Sequence, residues 1–299
     1  MNKTIYQFAF IFITLIFLMA CTGNIDLESE NKGIQHYKNG EYQKAIPLLE
    51  KAEDGGSSSA AFYLGEIFRK GEGVNQDFGR SCTHYINSAK GGNNNAYLLA
   101  GSCFVMGKGV KQDFAEALKW FKKASDESEK TDLTESDKKY LTRTLATMYY
   151  SGKGTLQDFS EAAKWAEKAA ELGDANSQAV MAFLLYTGQG VLADRKAAWI
   201  WAQKSADQGN DLGEVLMGVF NQYADSPDMK AAFDWYEKSA KQGNPAAQYQ
   251  LGTFYEEGII VPEDIEKAHA CYKQAADSKK SDNLIKALME FEARQKKQK

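Results

Sequence analysis

One spacing constrains this chain more than any other feature. Asp77, Asp113, Asp158, Asp194, Asp228 and Asp264 follow one another at intervals of 36, 45, 36, 34 and 36 residues, and Glu41 lies another 36 before the first. Their surroundings repeat as well. "GEGVNQDF" stands at 71–78, "GKGVKQDF" at 107–114, "GKGTLQDF" at 152–159 and "GQGVLADR" at 188–195, with weaker copies "SPDM" and "PEDI" around the last two aspartates. Self-similarity at this period marks an array of supersecondary units, none able to bury its apolar face alone, so that neighbours must stack.

The other columns give the unit its form. Seven residues after the anchor stand Trp120, Trp165, Trp201 and Trp235, replaced by His84 and Cys271 in two copies. Upstream runs a column of small residues, Gly65, Gly101, Ala146, Ala182, Gly218 and Gly252, most of them preceded at nine residues by a glycine such as Gly56 or Gly173. Each unit therefore reads as helix A, a glycine loop, helix B and a glycine stop suited to a left-handed cap. Helical spacing places Ala61, Leu64, Gly65 and Phe68 on one face of a helix A over Ser58–Lys70, and Phe114, Ala117, Trp120, Phe121 and Ala124 on one face of a helix B. The Trp column is expected in the core.

A glycine pair before a helix also describes an anion-binding loop. The aspartate decides against it. At the start of helix B its carboxylate accepts from the first free N–H groups, and in the third unit Glu116 completes a D-x-x-E capping box. A carboxylate there satisfies those donors and repels a phosphate, and neither G-K-[ST] nor a preceding strand is present. The aspartate column reads as six structural caps.

"AAFYLGEIFRKGEGVNQDF…CTHYINSAKGG" and "AAQYQLGTFYEEG…AHACYKQAA" resemble Sel-one-like repeats, relatives of the tetratricopeptide repeat with a longer inter-helix loop. The resemblance covers residues 33 to about 278. It implies an all-α, right-handed α-solenoid of about seven helix pairs, with residues 279–299 as a C-terminal capping helix and basic tail. It also implies protein–protein scaffolding, in which a partner lies in the groove formed by helix A. The family includes envelope lipoproteins, assembly adaptors and immunity proteins that neutralise antibacterial lipase effectors. Three departures are local: the fifth loop lacks G-x-G and is two residues short, "SDESEKTDLTESDKK" adds nine residues after the third unit, and Pro47 falls inside the second helix.

Some family members have been described as penicillin-binding or β-lactamase-like, so an envelope hydrolase or cell-wall-binding protein is the alternative. The residues lend it little. "SENK" and "SDKK" match S-x-x-K and "SDN" occurs at 281–283, but K-T-G is absent, as are H-E-x-x-H, G-x-S-x-G and C-x-x-C. Of three histidines, His84 and His269 fall in core columns and His36 has no ligand-spaced partner. No metal, cofactor or small-molecule substrate is expected. With a formal net charge of -4 and no long basic run, nucleic acid is not expected either.

The N-terminus differs in kind. Lys3 precedes an apolar run from Phe8 to Ala20 broken only by Thr14, too short for the roughly 20 residues a membrane-spanning helix needs. It suits a signal peptide over residues 1–20. The run ends in "LMAC", which resembles a bacterial lipobox, implying acylation of Cys21, a polar linker over 21–32, and an outer-membrane anchor facing the periplasm. In that oxidising setting Cys82 and Cys103, on consecutive helices, are the candidate disulfide. The reading favoured is that these two and Cys271 are buried apolar fillers.

The small-residue column finally marks the helix A positions turned away from the core. These are Phe62, Glu66, Arg69; Leu98, Ser102, Val105; Arg143, Thr147, Tyr150; Ala179, Phe183, Tyr186; Val215, Val219, Gln222; and Tyr249, Thr253, Glu256. Apolar and aromatic side chains are frequent among them for a surface stripe. Tyr150, Phe183 and Tyr186, with Phe62, Tyr249 and Arg143, are the expected partner-binding residues. The competing reading is inter-repeat packing.

Overall fold

The computed structural model describes residues 26–128, 133–279 and 281–298. Among them are fifteen α-helices and no strand. The helices are α1 Leu27–Lys38, α2 Tyr42–Asp54, α3 Ser58–Lys70, α4 Phe78–Lys90, α5 Tyr97–Met106, α6 Phe114–Asp126, α7 Glu135–Ser151, α8 Phe159–Glu171, α9 Ala175–Thr187, α10 Arg195–Asp207, α11 Asp211–Gln222, α12 Met229–Lys241, α13 Pro245–Glu257, α14 Ile265–Lys279 and α15 Asp282–Gln298. Odd-numbered helices up to α13 are the A helices and even-numbered ones the B helices. α2 runs unbroken through Pro47. Cys21 and the apolar run before it lie outside the described residues.

Two compact units are distinguished. One holds the described residues up to Asp137 with Lys153–Thr155, and the other holds 138–152 and 156–299. In the first, Ala45, Leu49, Leu64, Ile67 and Phe68 form one buried cluster and Tyr85, Ala100 and Trp120 another. In the second, clusters form around Ala182 and Ala202, around Tyr236 and Phe254, and around Tyr272 and Phe291, the last supplied by α15.

The loops between A and B helices are built by a repeated device. Asp77, Asp113, Asp158, Asp194, Asp228 and Asp264 each accept from a backbone N–H two or three residues on, at 2.9–3.0 Å. The glutamine before three of them works in the opposite direction. Gln76, Gln112 and Gln157 donate to the carbonyls of Arg69, Val105 and Tyr150, each at 2.7 Å, closing the end of helix A. Glu41, the seventh anchor, makes no side-chain cap; its carboxylate holds His36 and Lys44 instead. His36 thus has an acidic partner across a turn.

Within a pair, the A and B helices meet at one point of closest approach. A Cβ built on Gly65 falls 2.6 Å from the Tyr85 ring, on Gly101 2.6 Å from Phe121, on Gly218 2.5 Å from Tyr236, and on Gly252 2.7 Å from Tyr272. Where the small residue is alanine, the residue at the matching helix B position is alanine as well, Ala146 with Ala166 and Ala182 with Ala202, all buried. A glycine in helix A makes the room that the helix B ring occupies, and where helix A carries a methyl group its partner is small as well, so that neither kind of crossing overlaps. The pairing also corrects the expected core. The column after the tryptophans is the buried one; of the tryptophans only Trp120 is buried, while Trp165, Trp201 and Trp235 are half-buried. A lysine three residues on covers each ring, 3.9–4.6 Å from its centroid.

Candidate binding groove

Helices α7, α9 and α11 are A helices of the second unit, and their core stripes are consumed by the B helices. What remains on the other side is apolar. Tyr150 from α7, Ala179, Phe183 and Tyr186 from α9, and Leu212, Val215, Leu216 and Val219 from α11 line a groove of about 500 Å³. Its lining includes no charged side chain. The rings are held from behind. Tyr150 meets Phe159 edge-on at 5.4 Å, and Tyr186 packs on Phe220 at 4.7 Å. Both readings of the stripe therefore meet at Tyr186, which packs on the core with one face and lines the groove as well.

The other expected partner-binding residues lie elsewhere. Arg143 reaches Asp174, the N-cap of α9, at 3.3 Å. Tyr249 packs on Tyr272 at 5.4 Å and belongs to the last core cluster. Phe62 lies in the first unit, in a recess it shares with Glu66, Arg69 and Leu98. That recess is mixed, with charged side chains among its apolar ones. Desolvation pushes the Glu66 carboxyl upward, but hydrogen bonds from Arg69 and Tyr85 outweigh it and hold its pKa below the ordinary value. The shared column gave these residues a common face in the sequence; local partners then captured three of the six.

Cys82 in α4 and Cys103 in α5 are joined by a disulfide, with Cα atoms 5.6 Å apart. The apolar-filler reading therefore fails for these two, because stacking of consecutive helices brings them within bonding reach. Cys271 is free and half-buried, and burial raises its thiol pKa. His84 is enclosed as expected, stacked on Phe68 and bonded to Glu53 at 2.7 Å. His269 is not a core residue: its side chain is 44% exposed and pairs with Glu292. Among the described residues no group of three His, Cys, Asp or Glu is placed to hold a metal ion. In "SENK" the Ser29 hydroxyl donates to Asp26 while Lys32 pairs with Glu28, so the two do not face one another.

The structure missing from the sequence reading is a second recess beside the groove. Tyr186, Arg195, Trp199, Phe220, Tyr223 and Asp225 line about 180 Å³. Trp199 is 38% and Tyr223 58% exposed, unusual for large aromatics. Only the shortness of the fifth loop could have signalled it.

Paired antiparallel helices repeated along the chain, with an apolar face left open on successive A helices, define a helical-repeat scaffold of the α-solenoid class. The chain belongs to the Sel1 repeat family, whose model matches residues 58–93, 96–128, 145–174, 175–210, 212–244 and 245–279. Solved structures agree. The protective antigen c5321 of uropathogenic Escherichia coli is 28% identical with a TM-score of 0.62, covering 84% of this chain and 53% of its own. This chain thus spans about half the length of that relative. A Sel1 repeat protein from Oxalobacter formigenes is 25% identical with a TM-score of 0.56, covering 84% of this chain and 100% of its own. Immunity protein Pa5087 from Pseudomonas aeruginosa is a more distant likeness, 17% identical with a TM-score of 0.38, covering 74% and 81%. No curated protein matches the sequence at a significant level.

Proposed function

We propose that this Sel1 repeat protein is a lipid-anchored scaffold of the bacterial envelope that holds a protein partner in the groove of α7, α9 and α11, as an immunity protein or an envelope-assembly adaptor. The observation that carries the reading is the groove itself. Large aromatic side chains fixed from behind on rigid helices lose little entropy on binding and are the usual anchors of protein interfaces. The groove's apolar lining accepts a partner's apolar side chains and offers no charged group for chemistry. Support for the anchor comes from the short apolar run ending at Cys21, and from the Cys82–Cys103 disulfide, a bond typical of oxidising compartments. No helix among the described residues is long and apolar enough to cross a membrane. Two experiments test the halves separately. A clickable fatty acid should label the wild type and miss Cys21→Ser; equal labelling defeats the anchor. Crosslinking pull-down from envelopes with wild type and the Tyr150→Ala, Phe183→Ala, Tyr186→Ala triple variant should differ in one partner. The same partners from both would defeat the groove.

A further inference from the structure

The recess at the fifth loop exists because that loop breaks the repeat. In the loops that carry a G-x-G pair, the second glycine lies against the first turn of the preceding helix B. A Cβ built on Gly109 would fall 2.4 Å from the Gly79 carbonyl oxygen, on Gly154 2.2 Å from that of Phe114, and on Gly190 2.2 Å from that of Phe159. In five repeats the anchor N–H also bonds a carbonyl nine residues back, as Asp194 does to Leu185; Asp228 bonds Asn221, seven back. The fifth loop has lost two residues and the glycine pair, and the first turn of α10 stays uncovered.

What it uncovers is specific. Phe220 is 6% exposed and forms the floor. Tyr186 and Trp199 each pack on it, with ring centroids 4.7 and 6.2 Å from its own, so that three aromatic rings meet at the recess and offer an incoming ring an aromatic surface to pack on. Arg195 stands over the Tyr186 ring, 5.8 Å from its centroid. Of the chain's five arginines, Arg69, Arg80, Arg143 and Arg294 each have a carboxylate within ion-pair distance, and Arg195 has none among the described residues. Asp225 lines the same recess without reaching it. Tyr186 belongs to both the recess and the uncharged groove, so the two adjoin.

We infer that this recess is the anchor socket for the partner segment: one aromatic side chain enters beside Trp199 and Tyr223, a neighbouring carboxylate pairs with Arg195, and the segment's apolar residues continue along the groove. The inference rests on the groove reading and adds the partner's chemistry to it. An arginine held over a ring, with no carboxylate partner among the described residues, is free to meet one, and a pair formed beside aromatic walls is less screened than one in open water. The occupant is accordingly an apolar protein segment with an aromatic residue and an acid close together.

Random 16-residue peptides displayed on phage, selected against the full chain in detergent, provide the probe. The enriched sequences should combine an apolar pattern with an aromatic residue flanked by Asp or Glu. The synthetic consensus peptide should lose about tenfold in affinity on Arg195→Glu and on Trp199→Ala. Exchanging its acid for lysine should weaken binding to the wild type and restore binding to Arg195→Glu. Both variants alter exposed side chains, so their helical spectra should match the wild type. Binding that is lost in the Tyr150→Ala, Phe183→Ala double variant but indifferent to Arg195→Glu and Trp199→Ala overturns the socket and leaves the groove standing. Binding indifferent to all four substitutions, or enrichment of no common pattern, overturns both.

Discussion

Gly218→Ala is the sharpest test of how these helix pairs are held. In an exposed helix interior, alanine in place of glycine would stabilise by about 1 kcal/mol. Here the added Cβ lies 2.5 Å from Cε1 of Tyr236, a distance that real contacts do not tolerate. The ring has no room to yield, since Tyr236 is 0% exposed and its hydroxyl donates to Gln222 at 2.7 Å. Overpacking of this kind costs roughly 1–3 kcal/mol, so the net effect is a loss of up to about 2 kcal/mol. Tyr236→Ala alone should cost about 3–5 kcal/mol through the cavity it leaves. The double variant reproduces the alanine pairs of the neighbouring repeats. In it the new methyl group meets empty space, and Gly218→Ala should become stabilising. The two substitutions should thus couple by roughly 2 kcal/mol in a double-mutant cycle. Urea unfolding followed by far-UV circular dichroism supplies the four stabilities, with each unit's transition fitted separately if they diverge. Additive effects, or a stabilising Gly218→Ala in the wild-type background, would refute the reciprocal packing.

Other outcomes follow from the same contacts. Asp113→Ala should cost about 0.5–2 kcal/mol through loss of its bonds to Ala115 and Glu116, and neither form should bind a nucleotide in calorimetry. Glu66 has a folded pKa held below its ordinary value of 4.5, so its contribution is present above that value and lost as pH falls through the folded one. Stability of the wild type should therefore drop more steeply below pH 4.5 than that of Glu66→Gln; equal slopes would contradict the pairing with Arg69 and Tyr85. The Cys82–Cys103 bond closes a loop of 21 residues, and its reduction or a Cys82→Ser, Cys103→Ser variant should cost about 3 kcal/mol, read as a lowered Tm of the first unit.

The fold was legible because its signals are local and repeated. The small-residue column identifies helix A, the aspartates mark where helix B begins, and the range Ser58–Lys70 appears in the structure with the same bounds. Half of the glycine packing was legible too. That Gly65 is small can be read from its column, but that Tyr85 fills the space beside it depends on where a chain 20 residues further on returns. The loop glycines were harder. Gly154 has no room for a side chain because a carbonyl of the preceding repeat lies against it, a contact no property of its own loop announces. The Trp column misled because periodicity gives the centre of a helix stripe and not its width. Trp165 sits at the edge, where Lys168 covers it. The candidate groove followed from the column only where no local partner intervened. Phe183 lines it, whereas Arg143 turns to the Asp174 cap. The recess around Trp199 was only half legible: the two missing residues could be counted in the fifth loop, but which side chains their loss uncovers depends on the packing of Phe220 and Tyr186.

The central claim, that a protein occupies the groove of α7, α9 and α11, is tested most directly in the cell. A photoreactive benzophenone amino acid can be placed at Thr187 or Val219, which line the groove, and at Lys164, exposed on helix B. On irradiation, the two groove positions should give the same discrete higher-mass adduct and Lys164 should not. The adduct should disappear when Tyr150 and Phe183 are also changed to alanine. Adducts of equal yield from all three positions, or none from the groove positions while Lys164 reacts, would contradict the account.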